Sequence, residues 1–144
     1  LMPHACIGAD VIVGFPTETD EYFRQSYDFI ESLDLSFLHV FTYSERENTP
    51  AAEMGVSVPP AVRAARSRAL HRLGEKKRAA FYLRHQGQVR EVLLESENKE
   101  GWMFGFTDNY IKVRLPYDPH LVGTLQAVRL GPQVEGGLLD ASIL

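Results

Sequence analysis

The spacing of apolar residues at the start of the chain predicts a strand, a helix and a second strand. Asp10–Gly14 is short, rich in Val and Ile and bounded by Gly and Pro, which is typical of a strand buried in a parallel sheet. Thr17 or Thr19 is suited to cap the helix that follows, and Ser36–Ser44 predicts the next strand. The apolar positions of the predicted helix recur at helical spacing, at Phe23, Tyr27, Ile30 and Leu33.

A strand–helix–strand unit normally belongs to a parallel sheet of several strands, but residues 1–58 supply only two. An almost wholly apolar strand needs neighbours on both edges. We therefore expect residues 1–58 to be the back end of a larger α/β domain in a longer protein. The alternative is a small two-stranded α/β fold. In the first case the unpaired strand edge is expected to promote dimerisation or disorder.

A turn-rich connector leads into a long helix over residues 59–85, which opens on Pro60 near its first position. Gly74 is expected to weaken or bend this helix. The apolar spacing predicts a packed face formed by Val62, Ala65, Ala69 and Leu73. A basic row at spacing i, i+4, i+8 consists of Arg68, Arg72 and Lys76.

After Gly87 the apolar positions alternate, which predicts β-structure. The five predicted strands are Val89–Glu95, Gly101–Phe106, Asn109–Leu115, Thr124–Leu130 and Gly137–Ile143. Five short strands separated by Gly, Asn, Asp and Pro predict a small OB-like antiparallel β-barrel. The predicted fold class is α+β, with three parts: residues 1–58, a connecting basic helix over 59–84, and a barrel over 85–144.

Charge is distributed unevenly although the net charge is only −4. Residues 1–58 carry 2 basic and 10 acidic side chains, residues 59–86 carry 8 and 1, and residues 87–144 carry 5 and 8. The basic block is either a solvated helix face or a footprint for phosphate. Cys6 is the only cysteine, so this chain has no disulfide and no metal framework of its own, and we expect Cys6 to be a small buried residue.

Targeting signals are not evident, because the chain contains neither a run of about 18 apolar residues nor a basic segment followed by an apolar core. We therefore expect a cytoplasmic protein that does not enter a membrane.

The barrel segment carries the clearest candidate for nucleic-acid binding. Along the stretch NYIKVRL, Tyr110, Lys112 and Arg114 alternate with apolar residues. An aromatic and basic strand face on an OB-like barrel suits single-stranded RNA, because bases stack on rings and phosphates contact cations. The alternative is a solvated face of a half-buried strand. A second period-two aromatic set, expected to be core, consists of Trp102, Phe104 and Phe106.

Residues 1–58 offer a candidate ligand site, because α/β proteins bind ligands at the ends of parallel strands. Asp10 needs a polar partner within an apolar strand, and Gly14 permits close approach to the backbone. His39 is expected to be an interior histidine. No nucleophile and base pair with an orienting residue can be assembled, so we assign no catalytic residue and no metal ligand to this chain.

Three blocks, IGADVIVGFPTET, LHVFTYSERENTPAAEM and GFTDNYIKV, with a basic helix before the third, resemble the C-terminal half of the radical S-adenosylmethionine methylthiotransferases. These enzymes end in an RNA-binding barrel called a TRAM domain. The resemblance covers essentially the whole chain. The block GFTDNY is most similar to the branch that modifies threonylcarbamoyladenosine beside the tRNA anticodon. Other branches act on isopentenyl-adenosine or on a ribosomal-protein aspartate.

The resemblance implies S-adenosylmethionine and two iron–sulfur clusters in the full-length enzyme, with residues 1–58 forming the end of a partial (β/α) barrel. Because the cluster-binding cysteines are absent from this sequence, the chain alone is expected to be inactive and to bind no cofactor. The family pattern implies cofactor-binding roles for Asp10, Ile12, Gly14, Phe41 and Tyr43. Arg46 is a candidate contact for a substrate or cofactor phosphate, and the alternative is a surface ion pair. The expected RNA contacts are Arg46, Arg68, Arg72, Lys76, Tyr110, Lys112 and Arg114.

Two residues depart from the family pattern, because Thr17 and Asn48 stand where the family usually has Gly. Asn tolerates a left-handed backbone and Thr can cap a helix. Two other functional classes remain open. One is a non-catalytic RNA-binding module, and the other is an interaction module that recruits a protein through an exposed strand edge.

Overall fold

The computed structural model describes residues 2–144, which form two compact units. One unit is Ile7–Arg78, and the other joins the segment ending at Cys6 to Ala79–Leu144. The strands are β1 (Gly8–Val13), β2 (Phe37–Thr42), β3 (Val89–Leu94), β4 (Trp102–Thr107), β5 (Lys112–Pro116), β6 (Leu125–Gln133) and β7 (Leu139–Ile143). The helices are α1 (Asp20–Ser32), α2 (Pro50–Glu53) and α3 (Pro60–His85), with a 3₁₀ turn at Pro119–Leu121. No helix within residues 2–144 combines the length and the apolar character needed to cross a membrane.

In the first unit, β1 and β2 form a parallel pair in which Asp10 lies opposite His39 and Ile12 opposite Phe41. Helix α1 begins after Thr19, one of the two caps that the sequence predicts. The Thr19 hydroxyl accepts a hydrogen bond from the backbone N–H of Tyr22 at 3.1 Å. The core of this unit is formed by Val13, Leu38, Leu70 and Leu73, with α1 side chains packed against it.

The packed face of α3 differs from the prediction. Leu73 is buried as expected, but Val62 and Ala69 are only partly buried and Ala65 is exposed. The buried positions of the N-terminal half are instead Arg63, Arg66, Leu70 and Leu73. The buried side of α3 therefore does not coincide with its apolar stripe. Arg63 and Arg66 are buried because carboxylates elsewhere in the unit pair with them.

Gly74 does not interrupt α3, which runs continuously from Pro60 to His85. The residue is buried, and a Cβ atom at this position would lie 3.3 Å from Cβ of Leu38. The expected bend is therefore wrong. Glycine serves here to let the helix approach β2 closely.

The second unit is a closed five-stranded barrel in the order β3-β4-β5-β7-β6, which confirms the predicted α+β fold with an OB-like barrel. Four of the five pairings are antiparallel, but β5 and β7 pair in parallel, so the barrel is mixed rather than wholly antiparallel. Alternating strand residues fill the interior together with Phe81 and Tyr82. Cys6 is partly buried and packs against this core.

Candidate functional site

One candidate surface is the exposed face of the β1–β2 pair, which we call the open sheet face and define by Asp10, Ile12, His39 and Phe41. Ile12 is 56% exposed and Phe41 is 51% exposed, while the alternate residues of both strands pack into the core. His39 is also exposed, so its expected interior position is wrong. The reason is strand alternation, which places His39 on the same face as Phe41.

The open sheet face combines one carboxylate with apolar and aromatic side chains. The ring of Phe37 meets the ring of His39 edge-on at 4.4 Å between centroids, and His39 and Phe41 are stacked at 6.4 Å. Asp10 is exposed beside them. An exposed apolar and aromatic surface with a neighbouring carboxylate can accept a purine ring and hydrogen-bond a ribose hydroxyl.

The turn after β1 holds Gly14 in a hydrogen-bonded loop. Its N–H donates to a carboxylate oxygen of Glu18 at 2.7 Å, and the same oxygen accepts a hydrogen bond from Arg66 at 2.7 Å. Arg66 also bonds Asp20 at 2.6 Å. Burial lowers the pKa of Arg66, but the bonds to Asp20 and Glu18 outweigh it and raise that pKa overall. This charge network fixes the carboxyl end of β1.

Tyr43 follows β2, and its ring lies 5.4 Å from the guanidinium carbon of Arg63. Its hydroxyl oxygen is buried and has no hydrogen-bond partner within residues 2–144. An unpaired buried hydroxyl is unfavourable, so Tyr43 retains an unused hydrogen-bonding capacity. A cavity of about 410 Å³ adjoins it, lined by Thr42, Tyr43, Pro60, Arg63, Ser67 and Arg68 among others.

Arg63 is held by several acceptors near this cavity. Its guanidinium bonds the Glu45 carboxylate, and the Ser57 hydroxyl oxygen accepts a further bond at 2.7 Å. The hydrogen bond from Arg63 lowers the pKa of Glu45 from its ordinary value of 4.5 to about 2. The neighbouring Arg46, predicted to contact RNA, is exposed and forms no ion pair within residues 2–144.

The basic row of Arg68, Arg72 and Lys76 is exposed along α3. Lys76 lies 3.5 Å from a carboxylate oxygen of Glu31, whereas neither arginine of the row forms an ion pair within the described chain. Arg72 also borders an apolar groove of about 660 Å³ between α1 and α3. The groove contains the alanines that the sequence pattern assigned to the packed face.

The barrel carries a second candidate surface on β4 and β5, which we call the cation–aromatic face. Cross-strand pairing places Lys112 opposite Phe106 and Arg114 opposite Phe104. The Lys112 ammonium lies 5.4 Å from the Phe104 ring centroid and 5.7 Å from that of Phe106. The Arg114 guanidinium carbon lies 4.3 Å from the Trp102 ring centroid. The face is defined by Trp102, Phe104, Phe106, Lys112 and Arg114.

The expected core role of the three β4 aromatics is therefore wrong. The inward positions of β4 are Met103, Gly105 and Thr107, all of which are buried. Aromatic residues at every second position can lie on the inner or the outer side of a strand. The small Gly105, which alternates with them, is the sequence signal that their side faces outward. A Cβ atom at Gly105 would lie 2.4 Å from the backbone oxygen of Leu93, so only glycine fits inside the barrel there.

The two cations of this face differ in their partners. Arg114 donates from Nε to Asp140 at 2.7 Å, so a carboxylate already offsets part of its charge. Lys112 has no carboxylate partner within residues 2–144. Lys112 is therefore the cation of this face that is available to an external anion.

Tyr110 is placed differently from the sequence prediction, which made it part of a strand over Asn109–Leu115. Strand β5 begins at Lys112, and Tyr110 lies in the preceding turn with φ of 63°. Its side chain is 73% exposed. The turn starts at Thr107, whose backbone oxygen accepts from the Tyr110 N–H at 3.0 Å, and this turn shortens the strand.

Metal ligands are not grouped among the residues that the structure describes. Among residues 2–144, no three His, Cys, Asp or Glu side chains lie close enough to hold a metal ion. Iron–sulfur clusters need several cysteine thiolates, and the sequence has one cysteine. The residues of this chain therefore do not fit a cluster.

Comparison with known proteins identifies similar chains. No protein-family model matches. A relative from Rickettsia prowazekii named threonylcarbamoyladenosine tRNA methylthiotransferase MtaB is 43% identical over 115 residues, which are 80% of this chain and 26% of the relative. A protein of the same name from Aquifex aeolicus is 38% identical over 112 residues, covering 78% of this chain and 26% of the relative.

A third relative carries a different name. The tRNA-2-methylthio-N(6)-dimethylallyladenosine synthase of Geobacillus thermodenitrificans is 35% identical over 131 residues, which are 90% of this chain and 25% of the relative. The chain thus spans about a quarter of the length of the curated relatives it matches.

Proposed function

Because this chain belongs to the methylthiotransferase family of these relatives, we propose that it supplies one wall of the cofactor site and the RNA-binding barrel of a tRNA-modifying enzyme. The substrate proposed is threonylcarbamoyladenosine beside the anticodon, since two similar relatives carry that substrate in their names. The observation that carries the proposal is homology over most of the chain, together with the two exposed surfaces described above. We also propose that the enzyme acts in the cytoplasm.

S-adenosylmethionine is the proposed ligand of the open sheet face. Ile12 and Phe41 offer an apolar platform for the adenine, and Asp10 lies beside Ile12 on β1 with an exposed carboxylate for the ribose. Gly14 closes the adjacent turn, and Tyr43 has a buried hydroxyl without a partner within residues 2–144. When bound, this cofactor supplies the radical chemistry and the methyl group.

The two iron–sulfur clusters of the family do not fit the residues of this chain, which carries a single cysteine. We propose that cysteines in another part of the full-length enzyme hold them. The present chain alone is then inactive, and its role is to bind and orient the cofactor and the RNA.

tRNA is the proposed ligand of the cation–aromatic face and of the basic row on α3. Lys112 is free of a carboxylate partner among the described residues, and the Arg114 guanidinium lies over the Trp102 ring. Exposed arginines at helical spacing present charge along α3 at Arg68 and Arg72, with Lys76 one turn further. Such charges bind phosphates without reading sequence. Arg46 is proposed as an additional phosphate contact.

Mass spectrometry of modified nucleosides tests the proposal. In cells that lack the full-length gene, tRNA should retain threonylcarbamoyladenosine but lose its methylthio group. A wild-type gene should restore the modification, and a gene with Lys112→Ala and Arg114→Ala should restore less of it. Unchanged nucleosides in the deletion strain would exclude a tRNA adenosine as the substrate and favour a ribosomal protein or a non-catalytic RNA-binding role.

A second candidate function is a non-catalytic RNA-binding module. The observation that favours it is the closed barrel with its own buried core. This alternative predicts that the purified chain binds tRNA tightly and that the deletion strain keeps all methylthio groups.

A further inference from the structure

Tyr110 combines a strained backbone with an exposed aromatic ring. Its φ of 63° lies in the left-handed region, which costs a residue with a Cβ atom about 1 kcal/mol. Its aromatic side chain is 73% exposed. Strain of this kind persists only where the surrounding structure imposes it, and it is concentrated at functional sites.

The turn around Tyr110 is fixed by buried polar side chains. Thr107 Oγ1 donates to Asn109 Oδ1 at 2.6 Å and accepts from the backbone N–H of Ile111 at 2.8 Å. Asn109 Nδ2 donates to the backbone oxygen of His4 at 3.0 Å. These bonds impose the strained backbone, with Ile111 fully buried as its anchor.

Tyr82 reinforces the other side of the turn. Its hydroxyl oxygen accepts from the backbone N–H of Lys112 at 2.9 Å and donates to the backbone oxygen of Tyr110 at 3.4 Å. Tyr82 is itself buried in the barrel core. The Tyr110 backbone is therefore held on both sides, so its ring is presented from a rigid support.

Within residues 2–144 no other ring and no cation contacts the Tyr110 ring. The rings of the cation–aromatic face are different, because Lys112 lies over Phe104 and Phe106, and Arg114 lies over Trp102. A base stacking on those rings would have to displace a cation. A base could stack on Tyr110 without displacing a cation. The barrel surface therefore offers cations that can bind phosphate and, separately, an uncovered ring that can bind a base.

We propose that the Tyr110 ring stacks on an unpaired nucleobase of RNA while Lys112, two residues away, holds a neighbouring phosphate. This inference rests on the proposed function and specifies its ligand as single-stranded loop nucleotides. A base inside a duplex has both faces covered by its neighbours, so it offers no face to a protein ring. Stacking of this kind tolerates any base identity.

The test is fluorescence anisotropy with the purified chain, comparing an RNA hairpin that carries a single-stranded loop with a fully paired duplex of equal length. Tyr110→Ala should weaken binding of the loop RNA about tenfold and leave the duplex unaffected. Tyr110→Phe should restore binding, because the ring is kept. Tyr22→Ala, which removes an exposed tyrosine from α1, is the matched control and should change neither affinity.

Salt dependence separates the two roles. Lys112→Ala should weaken both RNAs and reduce the slope of log affinity against log salt by about one, because one phosphate contact is lost. Tyr110→Ala should leave that slope unchanged.

Two results would overturn the assignment of Tyr110. One is wild-type affinity of Tyr110→Ala for the loop RNA, and the other is an equal loss for loop and duplex. Failure of the wild-type chain to bind either RNA at low salt would instead reject the RNA-binding role of the barrel, and the stacking role with it. Circular dichroism of each variant shows that the barrel remains folded.

Discussion

A Cβ atom added to Gly14 would lie 2.4 Å from Cγ of Arg63. The turn after β1 therefore packs its backbone directly against α3, and the same glycine has φ of 81°. Because both steric contact and backbone conformation require glycine here, Gly14 stabilises the edge at which the cofactor is proposed to bind.

Replacing Gly14 by Ala should destabilise the protein by about 2 kcal/mol or more, because left-handed strain and overpacking against Arg63 add together. The matched control is Gly55→Ala, since Gly55 has φ of 67° but no atom within 4 Å of the point that a Cβ atom would occupy. That variant should lose only about 1 kcal/mol. Denaturant unfolding measures both, and equal losses would show that the contact with Arg63 contributes nothing.

Thr17 has φ of 72°, which is rare for a β-branched residue. Replacing it by Gly should raise the free energy of unfolding by about 1 kcal/mol, because the left-handed strain is removed. Thr19→Ala should have the opposite effect and cost about 1 kcal/mol, because Thr19 caps α1. Thermal unfolding that shows Thr17→Gly to be less stable than wild type would contradict the strain argument.

Glu45 should give the protein a pH-dependent stability. Its pKa is lowered from 4.5 to about 2 by the hydrogen bond from Arg63, so the stabilisation is complete above pH 4.5 and is lost as the pH falls toward 2. An NMR titration of the Glu45 carboxyl should show this pKa directly. Arg63→Gln should return the pKa toward 4.5, whereas Ser57→Ala should raise it only slightly because the Ser57 bond is the smallest cause.

Asp10 is proposed to contact the cofactor ribose. In the full-length enzyme, Asp10→Ala should weaken S-adenosylmethionine binding about tenfold, the effect of losing a hydrogen bond to a charged group. Asp28→Ala, an exposed carboxylate on α1, should bind with wild-type affinity. Calorimetric titration gives both constants, and an unchanged constant for Asp10→Ala would remove this residue from the site.

The free edge of β1 is expected to promote self-association of the isolated chain. Within residues 2–144, β1 pairs only with β2, and a mostly apolar cavity of about 210 Å³ lies beside it, lined in part by Val11, Ile12, Phe15 and Phe29. Light scattering should show dimers or larger species. Ile12→Lys should shift the chain toward monomer, while Met54→Lys, which changes an exposed residue after α2, should not. A wild-type monomer at all concentrations would contradict the expectation.

The sequence predicts the order of helices and strands well, but it does not predict which side of every element is buried. The barrel strands and the start of α1 follow from local patterns, namely alternation, turn residues and a Thr cap. The packed face of α3 does not, because Arg63 and Arg66 are buried only through ion pairs with Glu45 and Glu18, which are distant in sequence. Hydrophobic spacing contains no information about such partners.

The candidate surfaces also depend partly on local sequence patterns and partly on long-range contacts. Alternation along the sequence identifies Tyr110, Lys112 and Arg114. Whether Trp102 faces the barrel interior or its surface depends on cross-strand pairing. That pairing is a long-range property. The left-handed backbone of Tyr110 also depends on buried contacts, because no local signal favours a tyrosine in that conformation.

The parallel pairing of β5 and β7 has a consequence for biosynthesis. Since β7 inserts between β5 and β6, the barrel can close only after residues 139–143 have emerged from the ribosome. A translation product that stops before Leu139 would leave two strands with unsatisfied edges, exposed to chaperones, proteases and aggregation. Premature termination near this point should therefore remove the barrel as a whole rather than trim its last strand.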